Sequence, residues 1–287
     1  MTRSGSAGRP AQTGQPGRPC RDPAAVLAAS TFSSGLMLLP GALQADARRL
    51  YQLLRTIDDL VDEHHPQATH RVEAIERWTQ GDPAETPETR TLTRLANRYP
   101  LSREAVLDFC KGMRHDLHRN AIETDEDLER YCHYVAGTVG IMLAGLLGTT
   151  HPSCEAKMAV LGRAMQRTNI LRDIDEDLAD GRIYIPRTAI ERFGFPAPGA
   201  REDLLKDQIA RADALYDSGL DAIPLLAHGR RAMSLSATLY REILRQIERD
   251  GFGRKPGRAT VPARRRQLLA SKHGLTFEKG PNSLPNQ

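Results

Sequence analysis

Residues 22–272 are expected to form one all-α domain. Three observations predict it. Apolar residues recur with helical period along most of the chain. No sustained two-residue alternation and no Asn-Gly or Asp-Gly hairpin suggests a strand. Prolines fall between the periodic segments rather than inside them, as helix punctuation does. A chain of 287 residues can also bury a sizeable core without disulfide or metal staples.

The elements follow in order. A helix over 24–35 is closed off by Pro40 and followed by one over 44–63. Pro66 separates that helix from 67–80, and Pro83 and Pro87 precede 88–98. Beyond Pro100, Ser102 is a natural N-cap for 102–119, with Glu104 in the first turn against the helix dipole. One helix is expected over 125–148, and Pro152 marks its separation from 153–180. Gly181 ends that long helix. Pro186 introduces 187–193, and Pro196 and Pro198 lead to 201–221. Pro224 sits near the start of 222–250, where proline is tolerated, and a last helix covers 261–271. Residues 1–21, rich in Gly, Pro, Ser and Gln, and residues 273–287 read as flexible tails.

Charge is unevenly distributed. The first 21 residues carry +4 and residues 254–287 carry +7, against a total of +4, so the body stands at −7. No basic helix or nucleic-acid motif accompanies the basic ends, and no nucleic-acid partner is expected. The four cysteines, Cys20, Cys110, Cys132 and Cys154, are scattered with no C-x-x-C pair. That favours a reducing, cytoplasmic setting over a disulfide framework or a thiolate metal site. The N-terminus lacks the apolar core of a signal peptide. The uncharged stretch Tyr131–His151 approaches the length of a membrane span, but His133, several threonines and four glycines dilute it, so a buried helix fits better.

Two acidic helices carry the chemical signal. In residues 48–62, Tyr51, Arg55, Asp58 and Asp62 follow at spacings of four, three and four, so they share one helix face. Asp59 lies about 100° round the helix, and Leu53, Leu54, Ile57, Leu60 and Val61 supply the apolar side. In residues 166–180, Gln166, Asn169, Asp173 and Asp177 again align, and five acids fall within eight residues. A solvated acidic face explains that density poorly, because carboxylates one turn apart repel. A hard divalent cation explains it: Mg²⁺ takes one or two carboxylates and leaves its other positions to water or phosphate oxygens. Ca²⁺ is the rival ion, but the EF-hand pattern is absent. Arg182 and Tyr184 follow directly and would lie beside the acids, in reach of phosphate.

These residues resemble the phytoene/squalene synthase family, the head-to-head prenyl synthases. The pieces are Arg55-Thr-Ile-Asp58-Asp59-Leu-Val-Asp62, Tyr134-Val-Ala-Gly-Thr-Val-Gly140, Gln166 through Asp177, Gly181-Arg-Ile-Tyr-Ile-Pro186, Tyr240-Arg-Glu-Ile-Leu and Arg258-Ala-Thr-Val-Pro. They span roughly residues 24–270 in the family's order. The resemblance implies an isoprenoid-synthase fold around a central cavity. It implies condensation of two prenyl diphosphates through a cyclopropyl intermediate, geranylgeranyl diphosphate to phytoene being favoured over farnesyl diphosphate to a squalene-type product. It implies Mg²⁺, with Mn²⁺ as a substitute, and NADPH only for squalene. Asp58 and Asp62 then read as one metal pair, and Asn169, Asp173 and Asp177 as the second set. Tyr51, Arg55, Gln166, Arg172, Arg182, Tyr184 and Tyr240 read as substrate contacts. Arg258 and one of Arg264–Arg266 would close over the diphosphate. Phe32, Tyr131 and Tyr134 are candidate aromatic faces for cations, and Leu36 is expected on the same cavity. Ala136, Gly140, Ala144 and Gly148 form a small-residue face expected to wall that cavity. Peripheral membrane association fits an insoluble product and basic ends.

Two departures stand out. Ala28-Ala29-Ser30-Thr31 precedes Phe32 where the family often has a basic residue. Asp175 stands where glycine is common, pointing away from Asp173 and Asp177, and little effect is expected of it. The alternatives are a terpene cyclase acting on one prenyl diphosphate with the same motifs, and a non-catalytic relative, against which the intact aspartates argue.

Overall fold

A computed structural model describes residues 35–83 and 85–274. The expected tail 1–21, most of the helix 24–35, Phe32 and the residues before it lie outside the described residues. Among the described residues the secondary structure is helical, with one isolated antiparallel bridge between Thr149 and Leu226.

The helices are α1 (Gly41–Asp62), α2 (Ala68–Gln80), α3 (Pro87–Ala96), α4 (Arg103–Leu117), α5 (Asp125–Cys132), α6 (Thr138–Leu147) and α7 (Cys154–Ala179). Then come α8 (Arg187–Phe193), α9 (Glu202–Gly219), α10 (Arg230–Arg249) and α11 (Ala263–Lys272). Their ends are where local chemistry puts them. Ser102 Oγ accepts from the Ala105 amide at 3.1 Å and starts α4. Thr86 and Thr124 each form a reciprocal capping box, starting α3 and α5. At the end of α7, Gly181 adopts φ +72°. Its amide donates to Leu178 O and the Arg182 amide to Asp177 O, the paired bonds of a Schellman cap.

Two expected helices are interrupted. The segment 125–148 is not continuous: a π-helical turn over His133–Gly137 separates α5 from α6. Such a turn inserts one residue and re-aims the side chains around it. The segment 222–250 is likewise divided. Pro224 lies inside a 3₁₀ turn, Leu220–Leu225, and α10 starts only at Arg230, after Gly229 at φ +74°.

α7 is the axis of the molecule. It packs against α5, the π-turn, α6, α9, the 3₁₀ turn and α10. Close approach on one side requires glycine. A Cβ on Gly140 would stand 2.2 Å from Met158 O, and one on Gly162 would stand 2.2 Å from Ala136 O, so backbone meets backbone there. The small-residue face therefore serves mainly for packing. Ala136 and Gly140 do reach the cavity wall, but Ala144 is buried in the core and Gly148 lies beyond the end of α6. Leu36 is likewise a core residue rather than a lining residue. The core runs through every helix from α1 to α10, and its cysteines Cys110, Cys132 and Cys154 are free thiols. No helix among the described residues is long and apolar enough to cross a membrane.

Candidate active site

α1 and α7 bring both acidic faces to one cavity of about 780 Å³. The residues of α7 that line it are Met158, Leu161, Gly162, Met165, Gln166, Asn169, Ile170, Arg172, Asp173 and Asp177, with both carboxylates at the C-terminal end. At a rise of 1.5 Å per residue this face changes from apolar to acidic over about 28 Å. α1 contributes Tyr51, Leu54, Arg55, Asp58 and Asp62, with the acids again at the C-terminal end. Phe109, Val135, Val139, Leu143, Met233, Leu239 and Ile243 complete the apolar wall. One end can hold a charged group and the rest a hydrocarbon.

Fourteen of the sequence-predicted site residues line this cavity: Tyr51, Arg55, Asp58, Asp62, Tyr131, Gln166, Asn169, Arg172, Asp173, Asp177, Arg182, Tyr184, Tyr240 and Arg258. Tyr134 does not; its ring lies under the Lys111 ammonium instead, 5.7 Å from the centroid. Of the three C-terminal arginines, Arg266 reaches the cavity, while Arg265 turns to Glu242 at 2.9 Å.

The arginines hold the acids in place. Arg55 pairs with Asp58 at 2.8 Å and with Asp59 at 2.7 Å. Arg172 donates two hydrogen bonds to its neighbour Asp173, at 2.8 and 2.6 Å, and Arg258 approaches the same carboxylate at 3.1 Å. Arg182, which follows the Schellman cap, reaches across to α1. It pairs with the Asp62 carboxylate and also donates to the Asp62 carbonyl at 3.0 Å. The tail of the second acidic motif thus closes on the first.

Asp58 and Asp177 stand apart. The Asp58 side chain is 35% exposed and lines the cavity. Burial and the charge of Asp62 push its carboxyl up to about 7, against the pull of Arg55. Burial and Asp173 push Asp177 to about 7 as well, against Arg182. Two carboxylates that resist ionisation, on facing helices, describe a site short of positive charge.

Asp116 was missed by sequence reasoning. It accepts from Tyr131 Oη at 3.0 Å and Tyr184 Oη at 3.2 Å, and those rings stack at 5.1 Å. Asp116 sits on the last turn of α4, in a segment with no acidic pattern, so nothing local marks it. Burial, then Asp116, pushes the Tyr131 hydroxyl well above its usual range.

The donor set suits a hard cation. All candidate ligands are oxygen atoms, and Asn169 Oδ1 is buried with no hydrogen-bond partner. Among the described residues no three His, Cys, Asp or Glu side chains converge on one metal position. Mg²⁺ needs no such convergence, since water and phosphate oxygens complete its shell.

Comparison with known proteins agrees with the geometry. The squalene/phytoene synthase family model matches residues 27–265. A 15-cis-phytoene synthase of Synechococcus elongatus is 34% identical, covering 83% of this chain and 86% of that protein. A phytoene synthase of Thermus thermophilus is 35% identical over 89% of this chain and 92% of its own length. Among solved structures, a dehydrosqualene synthase superposes with a TM-score of 0.78 at 29% identity, covering 88% of this chain and 93% of that one. A squalene synthase of Alicyclobacillus acidocaldarius gives 0.68 at 28% identity, over 77% and 89% of the two chains. With the motifs, the helical architecture and the cavity in agreement, the chain belongs to the squalene/phytoene synthase family and is a prenyltransferase of the head-to-head condensing type.

Proposed function

We propose that this chain condenses two molecules of geranylgeranyl diphosphate to phytoene. The observation that carries the reading is the graded face of α7, apolar at Met158 and acidic at Asp177, inside one cavity. The similarity to two phytoene synthases over most of the chain supports the C20 substrate. The alternative of a cyclase acting on one prenyl diphosphate is not favoured by these relatives.

Asp58 and Asp62 on one side, and Asn169, Asp173 and Asp177 on the other, would hold Mg²⁺ or Mn²⁺. Bound there, the cation supplies Lewis-acid stabilisation of a departing diphosphate. The chain's own groups do the rest. Arg55, Arg172 and Arg258 already point at the acids and are placed to transfer their donors to diphosphate oxygens. Gln166 and Asn169, 3.2 Å apart, face the same space. The wall of Leu54, Phe109, Val139, Leu143 and Leu161 keeps water from an allylic cation. Tyr51, Tyr131 and Tyr240 offer ring faces or hydroxyls along the way.

A squalene-type C30 product from farnesyl diphosphate is the second reading, favoured by the superposition on a dehydrosqualene synthase and a squalene synthase. NADPH enters only in the squalene variant of that reading. Incubation with Mg²⁺ and either prenyl diphosphate, with and without NADPH, decides between them by mass spectrometry. A C40 hydrocarbon without NADPH supports phytoene; a C30 hydrocarbon overturns that choice of substrate; cyclic C15 or C20 products overturn the condensation. Peripheral membrane contact belongs to the same proposal, because the product is insoluble and α11 exposes Arg264 and Lys272 beside Leu268. Salt-sensitive sedimentation with anionic vesicles tests it.

A further inference from the structure

Asp175, between Asp173 and Asp177 on α7, does not line the cavity but is heavily bonded elsewhere. Its carboxylate takes two hydrogen bonds from Arg201, at 2.6 and 2.7 Å, and a third from the Gly257 amide at 2.7 Å. The Arg201 side chain, at the start of α9, is 1% exposed. Burial raises the Asp175 carboxyl, but Arg201 and the Gly257 amide outweigh it and hold the group below the usual carboxylate range.

The partner segment is the connection from Asp250 to Pro262, between α10 and α11. It crosses the acidic end of the cavity, and Arg258, Ala259, Thr260 and Val261 form part of the wall. Two further contacts fix it. Gly253, at φ +70°, lies directly on the guanidinium: a Cβ there would stand 2.3 Å from Arg201 Nε. The Ala259 amide donates to the Arg172 carbonyl at 3.4 Å. Glu242, buried on α10, pairs with Arg249 at the end of its own helix at 2.6 Å and with Arg265 of α11 at 2.9 Å, which ties together the two helices that flank the strap. Arg258, adjacent to the anchored Gly257, then reaches Asp173 at 3.1 Å and Glu176 at 3.3 Å.

We propose that Asp175 and Arg201 are positioning residues: together they clasp the strap 250–262 at Gly257 and so seat Arg258 over the diphosphate end of the cavity. The pair faces away from the cavity, and neither residue lines it. Its effect on substrate therefore passes through Arg258. A bidentate carboxylate–guanidinium pair with an added backbone donor fixes both distance and orientation, which a glycine at 175 cannot do. The inference rests on the prenyl diphosphate reading of the site.

Two readouts test it on the full chain. In the first, wild type and Asp175→Ala are digested with trypsin, and cleavage after Arg254 and Arg258 is timed by mass spectrometry. Loss of the clasp is expected to speed strap cleavage about tenfold, the scale of one charge-assisted contact. In the second, KM for geranylgeranyl diphosphate is expected to rise about tenfold in Asp175→Ala with kcat within about threefold, since binding is weakened more than chemistry. Adding Asp175→Ala to Arg258→Ala should then change KM by less than about twofold, because both act through one arginine. Strap cleavage at the wild-type rate, or KM effects that multiply in the double variant, overturns the proposal. Should Asp175→Ala fail to fold, Gly253→Ala displaces the strap without removing a charge and is held to the same outcomes. If the wild type yields no product from any prenyl diphosphate, the functional reading fails, while the trypsin comparison still decides whether the clasp holds the strap.

Discussion

The two acidic faces are alike in sequence but differ in how the fold holds them. On α1, Asp58 and Asp59 share a single arginine of their own helix, while Asp62 is held from outside by Arg182. On α7, Asp173 and Asp175 are each held from two directions. Asp173 meets Arg172 and Arg258, and Asp175 meets Arg201 and Gly257. α7 is also the packing axis, seated by glycine contacts at 162 and 140. Asp173 and Asp175 thus have more partners than Asp58 and Asp59, and Arg182, just beyond the end of α7, bridges to Asp62 on α1.

The largest effect is expected where the comparison predicts equality. Asp58→Ala and Asp173→Ala should each lower the condensation rate by about 10²–10³, the scale of losing one electrostatic stabiliser of a charged transition state. Steady-state product formation checks this, and a residual rate near wild type in either variant would separate that face from the chemistry. Arg182→Ala should cost about tenfold in KM, the loss of one charge-assisted contact between the faces, with circular dichroism confirming the fold.

Packing breaks the comparison in the other direction. Gly162→Ala places a methyl against the Ala136 carbonyl and should destabilise the fold by about 1–3 kcal/mol, as overpacking does. Thermal unfolding measures it.

The shifted carboxyls give a pH test. Asp58 and Asp177 are raised from 3.8 to about 7, so the folded, metal-free chain binds their protons more tightly than the unfolded chain. Their contribution to stability is full below about pH 4 and is lost as pH rises through 7. Asp58→Asn mimics the protonated form. Without metal it should match the wild-type melting temperature below about pH 4 and exceed it increasingly up to pH 8, and Mg²⁺ should raise the wild type more at pH 8 than at pH 5. The smallest effect is expected at Asp59, which is half-exposed and turned outward: Asp59→Asn should change activity by less than about twofold, as exposed pairs contribute little.

Much of this was legible in the sequence because it is periodic. Tyr51, Arg55, Asp58 and Asp62 share a face by spacing alone, as do Gln166, Asn169, Asp173 and Asp177, and the structure places all eight on one cavity. Helix ends at Ser102 and Gly181 were readable because cap chemistry is local. What escaped is non-local. The π-turn at His133–Gly137 has no residue signal, and it is there that Tyr134 turns away from the cavity while Val135 and Ala136 line it. Asp116 acquires its place only when α4 meets Tyr131 and Tyr184. Asp175 turns away from Asp173 and Asp177, as its spacing predicts, but the expectation of little effect misses its bonds to Arg201, 26 residues further on, and to Gly257, which no local pattern shows.

The central claim is that the two faces form one site, and binding measures it most directly. Isothermal titration of inorganic diphosphate into wild type, Asp58→Asn and Asp173→Asn, each with and without Mg²⁺, is the measurement. Binding that requires Mg²⁺ and is weakened at least about tenfold by either substitution is the predicted result. Binding that survives loss of one face, or that ignores Mg²⁺, would contradict it.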